Sequence, residues 1–282
     1  MRLLLPFVLA LAAALAAALA ALGAPSPALA CGPDTDCRVG EQTYRLRLPE
    51  GHDGKTPVGA ILFMHGYKGT AAGVMRNRSL GKAVSDLGLA LVAPKSSGND
   101  WSLPGAPQVT SATEPQPDEL LLFDRLLEDL AARFPIDMDK LMATGFSAGG
   151  MMVWNLACER GDRFAGFAPI AGTFWAPLPE SCSSPPVHLL HTHGTSDPVV
   201  PLGGRPIQNT HQGDVYEAFE LFRKAGDFSA AKRYEVLDLK CERRLNSQGR
   251  ALELCLHPGG HSFKTDYVVR AWRELEALGA MN

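Results

Sequence analysis

The sequence predicts an α/β protein with a mostly parallel central sheet and helices on both faces. Two observations carry this. Strand-length apolar runs alternate with longer segments of helical period, and the runs are nearly unbroken in their apolarity, as strands buried on both faces must be. The first run is Val58–Met64 (VGAILFM), and residues 89–93, 141–144, 164–170 and 187–191 repeat the type. The clearest helix spans residues 118–134, where apolar side chains at 120, 123, 127, 130 and 134 keep the helical period and Pro135 ends it. Residues 150–158 (GMMVWNLAC) read as a helix directly after the strand 141–144, and 214–224 and 265–278 as further amphipathic helices. Residues 94–117 are the one long irregular stretch. Because the alternation continues on both sides, they read as a loop over a site rather than a linker between domains.

Composition narrows the class. The 282 residues are 46% hydrophobic and 20% charged, with 27 basic against 30 acidic side chains and a net charge of −3. A nucleic-acid partner is not expected, because such proteins carry a basic excess. Residues 3–22 carry no charge, Arg2 precedes them, and Ala28-Leu29-Ala30 reads as a small-residue cleavage site. Residues 1–30 are therefore expected to be a signal peptide and residues 31–282 one catalytic domain, secreted or periplasmic and free of the membrane after cleavage. A retained membrane anchor is the rival, since the run approaches spanning length, but it is Ala-rich and Pro25-Ser26-Pro27 follows it. Lipidation at Cys31 is a third possibility, with Ala28 standing where a larger aliphatic residue is usual.

Export also accounts for six cysteines, an even number in a compartment that permits disulfides. Local spacing favours Cys31–Cys37, Cys158–Cys182 and Cys241–Cys255, among about 15 formal connectivities. The last pair has the best argument. Asn246-Ser247-Gln248-Gly249 is a hairpin turn midway between the two cysteines, so they face each other across it. Such a loop contributes about 3 kcal/mol through the unfolded state. No Cys-x-x-Cys pair supports a zinc site.

The strongest chemical signal is Gly145-Phe146-Ser147-Ala148-Gly149 between a strand and a helix. In that context G-x-S-x-G is a nucleophile elbow, whose tight turn projects the serine above the sheet. A serine hydroxyl needs a base, itself oriented by an acid, and in this arrangement the chain order is Ser, Asp, His. Asp197 follows the strand around residue 190 in a Gly194-Thr195-Ser196-Asp197-Pro198 turn, at the sheet edge where open α/β sheets place their sites. His261, after Gly259-Gly260, is the expected base, whereas His257 beside Pro258 reads as structural. His188, His191 and His193 do not read as a metal site, because alternation along a strand turns 188 away from 191 and 193. Oxyanion donors are expected from the backbone N–H of Ala148 and from that of Tyr67 in the loop after the first buried strand. Trp101 and Trp175 sit in loops at the same edge, as candidates either to stack on substrate or to cover the core.

With GFSAGG, HGTSDPVVP, PGGHSF and MHGYKG in this order and spacing, the chain resembles secreted α/β-hydrolases of the poly(3-hydroxybutyrate) depolymerase and feruloyl esterase group. The resemblance implies the α/β-hydrolase fold and carries over Ser147 as nucleophile, Asp197 as acid and His261 as base. The WSLPG segment at Trp101 and the paired Cys241 and Cys255 also look like this group. The early loop lacks the cysteine often seen there among polymer depolymerases, and a polymer-binding module is not expected. The function implied is a cofactor-free serine ester hydrolase acting on hydroxybutyrate polyesters or oligomers, or on feruloyl or acetyl esters of plant polysaccharide. A serine peptidase of the same fold and a non-catalytic binding protein are the alternatives. Neither acyl length nor oligomeric state is legible.

Overall fold

A computed structural model describes residues 31–108 and 115–281. Residues 1–30, the expected export signal, lie outside them, as do residues 109–114 and Asn282. The chain opens with β1 (Cys37–Val39), β2 (Gln42–Arg47) and β3 (Val58–Met64), then α1 (Ala71–Arg76), α2 (Arg78–Asp86) and β4 (Ala90–Pro94). Next come α3 (Glu119–Arg133), β5 (Ile136–Phe146), α4 (Ala148–Glu159), β6 (Gly166–Ile170) and β7 (Leu189–Gly194). A small hairpin, β8 (Pro206–Ile207) with β9 (Thr210–His211), precedes α5 (Val215–Ala225). The chain closes with β10 (Lys232–Val236), β11 (Leu239–Leu245), β12 (Ala251–His257) and α6 (Thr265–Ala277).

Ten strands form one sheet in the order β1-β2-β4-β3-β5-β6-β7-β12-β11-β10. The pairs from β4 through β12 are parallel, while β1, β2, β11 and β10 join antiparallel at the edges. Alternation along β3 explains the layering. Ala60, Leu62 and Met64 enter the core under α3, α4 and α5, whereas Ile61 and Phe63 enter the core under α1, α2 and α6. Helices thus cover both faces, which is why the central strands tolerate no polar alternation. Among the described residues, no helix is long and apolar enough to cross a membrane.

Local chemistry starts the helices where they start. The Asp118 carboxylate accepts from the Leu121 N–H at 3.0 Å, and the Asp214 carboxylate from those of Tyr216 and Glu217 at 2.6 and 3.1 Å. The three disulfides join Cys31 to Cys37, Cys158 to Cys182 and Cys241 to Cys255. The last links directly opposed residues of β11 and β12. Cys241 and Cys255 also form, with Glu253, the one compact cluster of metal-ligand types among the described residues, but the sulfurs are bonded to each other and Glu253 to arginines.

Candidate active site

Ser147 stands between the last residue of β5 and the first of α4, with φ 60° and ψ −123°. A positive φ is strained for any residue but glycine, so packing must impose it. The Ser147 N–H donates to the Ile170 carbonyl at 2.9 Å, while the Ser147 carbonyl accepts from the Met151 N–H at 3.0 Å. Gly149 and Gly145 make the turn possible. A Cβ on Gly149 would collide with the Met64 carbonyl oxygen, and one on Gly145 would sit 2.6 Å from the Gly149 carbonyl oxygen. A serine at a helix N-terminus ordinarily caps it through its hydroxyl. Here the hydroxyl makes no cap bond and lines a cavity of about 410 Å³.

The loops carrying Asp197 and His261 meet because β7 and β12 pair in parallel, with His257 opposite Gly194. Thr195 N–H donates to the His257 carbonyl at 2.8 Å and Ser196 N–H to the Gly259 carbonyl at 3.1 Å, which ties the two loops together beyond the strands. Across that tie His261 Nδ1 donates to Asp197 Oδ2 at 2.7 Å. The bond assigns the proton to Nδ1 and leaves Nε2 as an acceptor. The His261 ring packs on Phe146, the neighbour of Ser147, at 4.6 Å between centroids. Asp197 is buried, and its Oδ1 accepts from the Val199 and Val200 N–H groups at 2.8 and 2.9 Å. Burial pushes its carboxyl up, but the bonds from His261 and the two amides prevail and hold it below the ordinary aspartate range.

Behind Asp197 lies a fully buried histidine pair. His193 Nε2 donates to the Val200 carbonyl at 2.7 Å and lies 3.6 Å from Asp197 Oδ2. Its Nδ1 must then accept from His191 Nε2, at 2.9 Å. Desolvation lowers both, so the pair stays neutral. His188 points elsewhere, accepting from the Ala251 N–H at 3.1 Å.

The loop after β3 runs beside Ser147: a Cβ on Gly66 would be 3.4 Å from Ser147 Cβ. Buried His65 braces it. Its Nδ1 donates to the Gly66 carbonyl at 2.9 Å and its Nε2 accepts from the Ser96 N–H at 3.2 Å. The next residues are pinned by Lys68 N–H to the Asn99 carbonyl at 2.7 Å. Tyr67 is exposed and, with Ala148, lines the cavity.

The tryptophans part company. Trp175 lines the cavity, but Trp101 does not stack on substrate: it is 1% exposed, donates from Nε1 to the His65 carbonyl at 2.9 Å and packs on His65 and Phe123. It covers the core and props the loop. Of the long irregular stretch, Asn99, Asp100, Pro107 and Gln108 border the cavity. Burial raises the Asp100 carboxyl to about 6, against the opposing bond from the Trp101 N–H. Sequence reasoning passed over His65 and Asp100, because a histidine before a glycine and an aspartate in a polar loop look like ordinary turn residues.

Residues 39–232 match the sequence model of a family described as "Putative esterase", which covers well over half of the chain. The chain belongs to the Esterase family. Among curated relatives, "Putative esterase NocK" of Nocardia uniformis subsp. tsuyamanensis is 30% identical over 251 residues, covering 79% of this chain and 70% of that one. Feruloyl esterase C of Emericella nidulans is 28% identical over 199 residues, covering 67% and 68%. The chain spans 58% of the matched "Probable feruloyl esterase C" of Aspergillus terreus. Among solved structures, an acetyl xylan esterase from Aspergillus awamori superposes with a TM-score of 0.58 over 90% of this chain and 98% of that one, at 13% identity. An S-formylglutathione hydrolase from Agrobacterium tumefaciens gives 0.55 over 86% and 92%, at 16% identity. These superpositions establish the α/β-hydrolase fold of this esterase family member.

Proposed function

We propose that the chain is a carboxylic ester hydrolase working through Ser147, His261 and Asp197 and a covalent acyl-enzyme. The observation that carries this is Ser147 itself, held at positive φ with its hydroxyl uncapped and facing a cavity. His261 Nε2 takes the hydroxyl proton as the oxygen attacks the ester carbonyl, and the Ala148 and Tyr67 N–H groups stabilise the oxyanion. Asp197 holds the imidazole tautomer and balances the cation that forms. The imidazolium protonates the leaving alcohol, and water releases the acid by the reverse sequence.

The substrates proposed are feruloyl-type or acetyl esters of plant polysaccharide. The relatives named feruloyl esterase support this, as do Trp175 and Met151 in the cavity wall, which suit a flat apolar acyl group. Export with removal of residues 1–30 accords with three disulfides, which persist in oxidising compartments. The test is a rate panel: a short p-nitrophenyl ester, a feruloyl ester, an acetylated xylan fragment, a hydroxybutyrate oligomer and a peptide. Hydrolysis of the esters is expected, and Ser147→Ala should lower it by ~10⁴-fold or more. Cleavage of the peptide alone would favour a peptidase instead.

A further inference from the structure

Gln212 follows β9 and bridges to Trp175 across an isolated antiparallel pair. It is 5% exposed, and its Oε1 is buried without a hydrogen-bond partner. The buried, unpaired end of the carboxamide is thus the one assigned as Oε1. Buried polar groups are almost always paired, and an unpaired one is destabilising.

The backbone that carries this side chain is fixed on several sides. Gln212 N–H donates to the Arg205 carbonyl at 2.9 Å, and its carbonyl accepts from His211 Nδ1 at 2.6 Å. Gly213 N–H is fixed to the Phe174 carbonyl at 2.8 Å, and Ala176 N–H to the His211 carbonyl at 2.8 Å. On the other side Gly204 packs so closely that a Cβ there would strike the Gln212 carbonyl oxygen. The residue with the unpaired oxygen is thus built in place, and the space it borders is the cavity that holds Ser147.

We infer that Gln212 is the specificity-determining residue of this site, hydrogen-bonding a hydroxyl group on the ring of the substrate. A carboxamide offers one acceptor and two donors, which matches a hydroxyl that both donates and accepts. Arg205 reinforces it from the same wall: its Nε is committed to the Val199 carbonyl at 2.7 Å, and the rest of the guanidinium makes no ion pair among the described residues. Trp175, Met151 and Ile207 complete an apolar surround for the body of the ring. The inference rests on the ester-hydrolase reading and adds the group that selects the substrate. The hydroxyl is phenolic or saccharide, and the experiment separates these.

Two matched ester pairs test it: methyl 4-hydroxycinnamate against methyl cinnamate, and an acetylated glucoside against cyclohexyl acetate. The quantity read is the ratio of kcat/KM within each pair. The wild-type protein is expected to favour the hydroxylated member of one pair, which identifies the source of the hydroxyl. Gln212→Met, similar in shape but unable to pair, should cut that preference by about three- to tenfold, chiefly through KM. Gln212→Glu, which keeps an acceptor oxygen but loses the donor amide, should restore part of it. Fluorophosphonate labelling of Ser147 reports that each variant retains a formed site. A wild-type protein without preference in either pair overturns the inference with no variant needed. So does an unchanged ratio in labelled Gln212→Met. Both outcomes leave the hydrolase reading standing, whereas unlabelled, folded wild-type protein overturns that reading and this inference together.

Discussion

At the scale of single residues, the site concentrates groups held in costly states. Ser147 keeps a left-handed backbone, and Asp100 keeps a carboxyl in a wall where burial raises it to about 6. For Asp100 the sign follows directly. Its folded value lies above the ordinary 3.8, so burial costs nothing below about pH 3.8, and the cost grows to its full size above about 6. Asp100→Asn should therefore stabilise the protein at pH 8 by up to about 3 kcal/mol, and hardly at all at pH 4. Thermal melting at the two pH values measures the difference, and an equal gain at both would contradict it. Some of these residues were legible in the sequence and others were not. Ser147 announces itself because only a strand, a glycine-flanked serine and a helix make that turn. Trp101 does not, because whether a loop tryptophan faces solvent or the core depends on His65 and Phe123, which are distant in sequence. Gln212 was invisible for the same reason: its missing partners are a property of the folded cavity.

At the scale of elements, the β10–β12 extension and α6 are tied by a buried ion cluster. Glu253 on β12 is fully buried and accepts from Arg270 Nη2 of α6 at 2.8 Å, and from Arg243 Nε and the Tyr234 hydroxyl at 2.5 Å each. Arg243 reaches on to Glu274 of α6 at 2.6 Å. The loop carrying His261 joins β12 to α6, so this cluster also anchors both ends of that loop. Glu253→Leu strands buried Arg270 without a counter-charge and should cost about 3–5 kcal/mol in urea unfolding. Arg233→Ala, which breaks the exposed pair with Glu242, should cost under about 1 kcal/mol. Comparable losses for the two would remove the cluster's special role. Elements show the same division in legibility. The central strands stand out as unbroken apolar runs, and the Cys241–Cys255 hairpin through its turn. Short β1 and β8, and alternating β2 with its two arginines, lack such a run; their strand form comes from pairing with neighbours.

At the scale of the molecule, burial keeps several histidines neutral. His65, His188, His191, His193 and His257 all lie below the ordinary value of 6.5 because desolvation disfavours their charged forms, His188 falling to about 4. From about pH 6.5 downward the unfolded chain takes up protons that the folded chain refuses, so stability falls until the folded values are passed. Asp100 and Glu119, both raised by burial, oppose this in part. The urea midpoint should therefore drop between pH 7.5 and pH 5, and a flat or rising midpoint would contradict the neutral assignment. Two packed faces, a parallel β7–β12 pair and a glycine-lined elbow bring Asp197, His261 and Ser147 to one edge of the sheet. The most direct test of what that edge does is covalent. Wild-type protein treated with a fluorophosphonate probe and digested should carry the adduct on Ser147, with no label on Ser147→Ala. Folded wild-type protein that remains unlabelled, or labels at another serine, would contradict the account.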